Sequence, residues 1–97
     1  MDHGKKLIKD AIKDGFIIRV YYEDDYEPAY VGTNLSKAWD DATACDCCSI
    51  EFFKKDAVGR PYEHGSAFLV HGNSPEETVC DYTIGGYAET WDNRQQA

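Results

Sequence analysis

The stretch Ser66-Ala67-Phe68-Leu69-Val70-His71-Gly72-Asn73-Ser74-Pro75-Glu76-Glu77-Thr78-Val79-Cys80-Asp81-Tyr82-Thr83 decides the fold class. Two runs rich in β-branched and aromatic side chains flank a Gly-Asn-Ser-Pro turn, which is the pattern of an antiparallel hairpin. Residues 48–54 read as a third strand just upstream. Cys48, Ile50 and Phe52 alternate on one face there, with Ser49, Glu51 and Phe53 on the other. A polar connection holding Asp56, Gly59 and Pro61 joins this strand to the hairpin. Short connections pair sequential strands, so the three form an antiparallel meander.

Working back from the meander, residues 4–14 read as a helix. Leu7, Ile8, Ala11 and Ile12 recur on one face, and Gly15 is a natural stop. Residues 16–22 read as a strand, with Phe16, Ile18, Val20 and Tyr22 on one face and Ile17, Arg19 and Tyr21 on the other. Residues 23–34 read as a loop broken by Pro28 and Gly32. Thr33 or Asn34 can cap a second helix running to about Cys45, with Leu35, Ala38, Trp39 and Ala42 as its apolar stripe. The expected order is α-β-α-β-β-β, an α+β domain with two helices on one face of the sheet. Residues 1–86 form that domain. Gly85-Gly86 ends regular structure, and residues 87–97 read as a tail that Tyr87 and Trp91 can tack down.

The 97 residues suit one such domain, with room for one modest core. Hydrophobic residues form 42% of the chain, too many for a disordered polymer despite a net charge of −8. No apolar run approaches the ~18 residues of a membrane span. The opening Met1-Asp2-His3-Gly4-Lys5-Lys6 has no long apolar stretch behind it, so no secretory leader is expected. Four cysteines in such a chain point to reduced thiols in a cytoplasm.

The charge is unevenly spread. Residues 1–19 carry five basic and three acidic side chains, whereas residues 20–51 carry one basic and eight acidic, a net of −7. Residues 52–70 return to +1, and residues 71–97 carry −4. Surfaces made by the second and fourth segments repel phosphate, which argues against direct nucleic-acid binding. A basic protein surface, including one that normally holds nucleic acid, is the better partner. The candidate patch is Glu23, Asp24, Asp25, Glu27, Asp40 and Asp41, with Tyr26 and Tyr30 as aromatic anchors. Tyrosines interleaved with carboxylates suit a protein interface, where large area comes at low entropic cost. The plain alternative is a solvated acidic face.

The cluster Cys45-Asp46-Cys47-Cys48 holds a pair with zinc-knuckle spacing, Cys45 and Cys48. A structural zinc site needs four ligands, and the remaining candidates Cys80, His64 and His71 make no second tight pair. The cysteines therefore read first as small apolar residues, and a zinc-binding structural domain is the rival reading. No serine or cysteine stands with a histidine in a nucleophile motif, and His71 reads as a half-exposed strand-end side chain. The expectation is a protein that is not an enzyme and needs no cofactor. A homodimeric scaffold joined through a strand edge or the tyrosine-rich face is a further rival.

The stretch from Ala67 to Thr83 also resembles a pattern in small phage- and prophage-encoded proteins: an apolar strand, a Gly-Asn turn, an acidic residue and a closing Asp-Tyr-Thr. The opening Leu7-Ile8-Lys9-Asp10-Ala11-Ile12-Lys13-Asp14-Gly15 before a strand is similar to the start of the same proteins. With the region from Leu35 to Cys48 between them, the likeness spans most of the chain. The cysteine cluster departs from it, and it carries over no site residues. It implies a mobile genetic element in a bacterial cytoplasm, and by analogy a protein that blocks host defence machinery of the CRISPR or restriction type.

Overall fold

The computed structural model describes residues 2–23 and 25–96, with the side chain of Gln96 left aside. Its elements run α1 (His3–Lys13), β1 (Ile17–Tyr21), β2 (Tyr30–Gly32), α2 (Leu35–Ala42), β3 (Cys47–Lys55), β4 (Pro61–Val70), a short 3-10 turn (Pro75–Glu77), β5 (Val79–Tyr82) and α3 (Tyr87–Gln96). The five strands form one antiparallel sheet in the order β2-β1-β3-β4-β5. The architecture is α+β, and β3, β4 and β5 are the expected meander.

Alternation decides which face is covered. Ile18 and Val20 of β1, Cys48, Ile50 and Phe52 of β3, and Ala67 and Leu69 of β4 are buried in one cluster. Leu7, Ile8 and Ala11 of α1, Ala38 and Ala42 of α2, and Tyr87, Ala88 and Trp91 of α3 complete it. All three helices therefore cover the same face. The opposite face carries Ile17, Arg19 and Tyr21 of β1, Ser49, Glu51 and Phe53 of β3, and Ser66, Phe68 and Val70 of β4. None of these is buried and none is fully exposed. Among the described residues no helix or strand covers this face.

The ends of α1 follow from its sequence. Asp2 Oδ1 accepts a hydrogen bond from the Gly4 backbone N–H at 2.8 Å, the ordinary N-cap. Asp2 Oδ2 accepts another from the Thr78 hydroxyl at 2.9 Å, which ties the cap to the start of β5. Gly15 takes a φ of 93°, a left-handed conformation that suits glycine and turns the chain into β1. At α2, Asn34 Oδ1 accepts from the Lys37 N–H at 3.0 Å. That helix stops at Ala42, short of Cys45, and the Thr43 hydroxyl bonds back to the Trp39 carbonyl oxygen at 2.8 Å.

Three expectations need correction. The loop at residues 23–34 contains the edge strand β2, which pairs Val20 with Tyr30 and Ile18 with Gly32. The order therefore gains a strand after β1, and β1 lies between β2 and β3. β4 begins at Pro61, inside the stretch read as a connection, and a register shift lets it pass Gly65. The stretch read as a tail holds a third helix, Tyr87–Gln96, and Ala97 lies outside the described residues. Trp91 is 1% exposed, and its indole Nε1 donates to Asp10 Oδ2 at 2.8 Å. The Tyr87 hydroxyl donates to Asp14 Oδ2 at 2.7 Å, and Arg94 reaches the same oxygen at 3.0 Å. Gly86 lets α3 start close to the sheet: a Cβ there would lie 2.8 Å from the His64 carbonyl oxygen. The domain thus extends through α3.

Candidate functional site

The acidic segment gathers at one end of the sheet, where the chain leaves β1 and where α2 hands over to β3. Tyr22 is the hinge of this region. Its ring packs against the core, and its hydroxyl donates to the Asp41 carbonyl oxygen at 2.8 Å. That bond fastens the start of the acidic loop to the end of α2. The Tyr22 hydroxyl is held above its ordinary value by burial first and then by the charge of Asp41.

Around it lies an open hollow of about 430 Å³ lined by Tyr22, Glu23, Asp25, Cys45, Asp46 and Cys47. Asp25, Tyr26 and Glu27 border a second hollow of about 470 Å³ on the outer side of the loop. Glu23, Asp25, Tyr26 and Glu27 are exposed, with Tyr26 fully so at 100%. Asp41 is half-buried and Asp40 is exposed. Tyr30 is half-buried against the core, and its hydroxyl accepts from the Asn34 N–H at 2.8 Å. Asp24 lies outside the described residues. The structure therefore brings Glu23 and Asp25 together and adds Asp46 to them, while Asp40, Asp41 and Tyr30 line neither hollow. Among the described residues the ion pair within 4 Å is Arg94 with Asp14, on the far side of the molecule. Among the described residues, Glu23, Asp25 and Glu27 have no such counter-charge.

The thiols follow burial rather than metal chemistry. Cys48 is buried in the core, and desolvation pushes its thiol up to about 12. His71 Nε2 lies 2.6 Å from the Ala42 carbonyl oxygen, which places the ring N–H on that nitrogen and closes the last turn of α2. Cys48 Sγ is 3.9 Å from the same nitrogen, and Trp39 meets the imidazole edge-on. A protonated, buried thiol beside an imidazole already committed to a carbonyl is a packed pair, not an activated nucleophile. Cys47 also lies above its ordinary value, through burial and then the carboxylate of Glu23.

Cys45 is exposed at the hollow, and Cys80 is exposed on β5. β5 lies two strands from β3, about 10 Å away across the sheet. His64 packs against Phe16 and Tyr62, near the opposite end of β4. The zinc rival's residues Cys45, Cys48, Cys80 and His64 are thus dispersed. Among the described residues no three His, Cys, Asp or Glu side chains stand where one metal ion can bind them. No helix among the described residues is long and apolar enough to cross a membrane.

Sequence reasoning passed over the residues that extend this site onto the uncovered sheet face. A groove of about 300 Å³ runs from Glu23 and Asp25 over Tyr21, Ser49, Glu51 and Phe68. A second groove of about 300 Å³ shares Ser49, Ser66 and Phe68 with it and continues to Asp81 and Thr83. Glu51 is half-buried there, and its carboxyl is raised by burial and then by the neighbouring Glu63 carboxylate. Nearby, the Arg19 guanidinium lies over the Phe53 ring at 3.8 Å. Period-2 alternation already placed Glu51 and Phe53 on this side of β3. The signal that was missing was which face the helices leave open.

The chain matches no protein-family model, no curated protein and no solved structure at a significant level.

Proposed function

We propose that this protein is a non-enzymatic binding module that offers carboxylates and tyrosines to a basic protein site. In this reading the site is one that otherwise holds nucleic acid, in a host defence complex of the CRISPR or restriction type, and the protein blocks it in the bacterial cytoplasm. The supporting observation is the gathering of Glu23, Asp25 and Asp46 around Tyr22, with no ion-pair partner among the described residues. Unpaired carboxylates clustered at one end of a domain make a local negative field, which steers association with a cationic site. Exposed Tyr26 beside Asp25 and Glu27 adds an aromatic contact of the kind interfaces favour. The phage-protein resemblance supplies the setting as an analogy.

The test is affinity capture from nuclease-treated bacterial lysate, using the wild type and a Glu23→Lys/Asp25→Lys/Asp46→Lys variant. The wild type retains a nucleic-acid-handling protein, and the variant loses it. High salt weakens the wild-type capture, because exposed charges are screened. Equal capture by both proteins rejects the proposal.

A further inference from the structure

We infer that the uncovered sheet face is the main docking surface for the partner, and that it takes a protein element carrying basic side chains laid across the strands. The inference rests on the reading above and adds the place, shape and spacing of the contact.

The geometry begins with register. Tyr21, Ser49, Phe68 and Asp81 form one row across β1, β3, β4 and β5. The neighbouring row is Arg19, Glu51 and Ser66. The two grooves follow these rows and share Phe68 as a common wall. Carboxylates stand at both ends, Glu23 and Asp25 beyond β1 and Asp81 on β5. Glu51 stands between them. Three strand spacings separate Tyr21 from Asp81, about 14 Å. An extended segment covers that distance in about four residues, and a helix in about nine.

Charge chooses the occupant. Among the described residues the face carries Arg19, already stacked on Phe53, and Lys55 at the Phe53 end of β3. The carboxylates of Glu51, Glu63 and Asp81, with Glu23 and Asp25 at the rim, outnumber these two cations. A second copy of this chain would set like charges against one another, whereas a basic partner supplies what the face lacks. The flat aromatic floor of Tyr21 and Phe68 suits the stems of arginine or lysine side chains, which pack along apolar surface while their heads reach carboxylates.

Glu51 gives this docking a signature. The groups facing it are Glu63 on β4 and Tyr21 and Arg19 on β1. Burial and Glu63 raise its carboxyl, so the free protein retains a proton there above the ordinary range. A bound cation favours the ionised form, so docking strengthens as pH rises through the raised Glu51 value.

The experiment is a titration of the isotopically labelled full chain with a synthetic peptide. The peptide carries two arginines four residues apart in a Gly-Ser-Tyr sequence, and its control has glutamine in place of arginine. Amide shifts should appear at Tyr21, Ser49, Glu51, Ser66, Phe68 and Asp81 as well as at Glu23 and Asp25. Glu51→Gln should weaken binding about five-fold and flatten its pH dependence. Thermal midpoints of both proteins establish that they are folded. Shifts confined to residues 23–27 and 45–47 overturn this inference and leave the loop reading standing. Absence of arginine-dependent binding overturns both. Concentration-dependent self-association through the same residues overturns it in favour of a homodimer.

Discussion

The Tyr22 hydroxyl and the Asp41 carbonyl oxygen, 2.8 Å apart, join the strand that begins the acidic loop to the helix that follows it. Tyr22→Phe keeps the ring and removes the bond. A single hydrogen bond of this kind contributes about 1 kcal/mol. The unfolding free energy of Tyr22→Phe from urea titration should fall by that amount, seen as a lower midpoint with an unchanged slope. A midpoint equal to the wild type would mean that the bond does not hold these elements together.

α3 is the least anticipated part of the fold and one of its main supports. Trp91→Ala removes a large buried ring and should cost about 3–5 kcal/mol. Trp91→Phe keeps most of the volume and loses the bond to Asp10, so it should cost about 1 kcal/mol beyond the loss of ring volume. Deletion of residues 87–97 should leave a chain without a cooperative thermal transition. A truncated protein that melts like the full chain would restore the reading of these residues as a tail.

Asp14 makes that support sensitive to acid. Its carboxyl lies below the ordinary value because of the bonds from Tyr87 and then Arg94. A depressed folded value stabilises the protein above the unfolded value near 3.8, and the contribution disappears as pH falls through the folded value. The gap in stability between wild type and Asp14→Asn should therefore be constant near neutral pH and narrow below about 4. Denaturant titrations at several pH values measure it. A gap that widens in acid would contradict the assignment.

Much of this architecture is legible in the residues. The alternation of Cys48, Ile50 and Phe52 and the turn at Gly72-Asn73 place the meander, and the helical recurrence of Leu7, Ile8 and Ala11 places α1. β2 escapes because Tyr30, Val31 and Gly32 are too few to carry a period, and Pro28 and Gly32 read as breakers. α3 escapes because its polar run Glu89-Thr90 and Asp92-Asn93-Arg94-Gln95 leaves Tyr87, Ala88 and Trp91 as the only apolar markers. Tyr87 and Trp91 are tied down by Asp14 and Asp10, 73 and 81 residues away. The acidic loop is visible as composition. Its union with Asp46 and with the sheet row of Tyr21, Ser49, Phe68 and Asp81 is not, since both depend on register and on which face the helices cover.

The thiols supply a check on that packing. Cys45 and Cys80 are exposed and should react promptly with a disulfide reagent in the folded protein. Cys47 should react more slowly, because burial and Glu23 disfavour its thiolate. Cys48, pushed up to about 12 in the core, should react only on unfolding. Four fast thiols would show that β3 does not bury Cys48.

The most direct test of the central claim is nucleic-acid displacement. The partner captured from lysate is purified and loaded with a labelled nucleic acid, and the acidic protein is titrated in. Wild type should displace the nucleic acid in a saturable, salt-sensitive manner, and Glu23→Lys/Asp25→Lys/Asp46→Lys should fail at the same concentrations. Nucleic acid that stays bound while the wild-type protein saturates its partner would contradict the account.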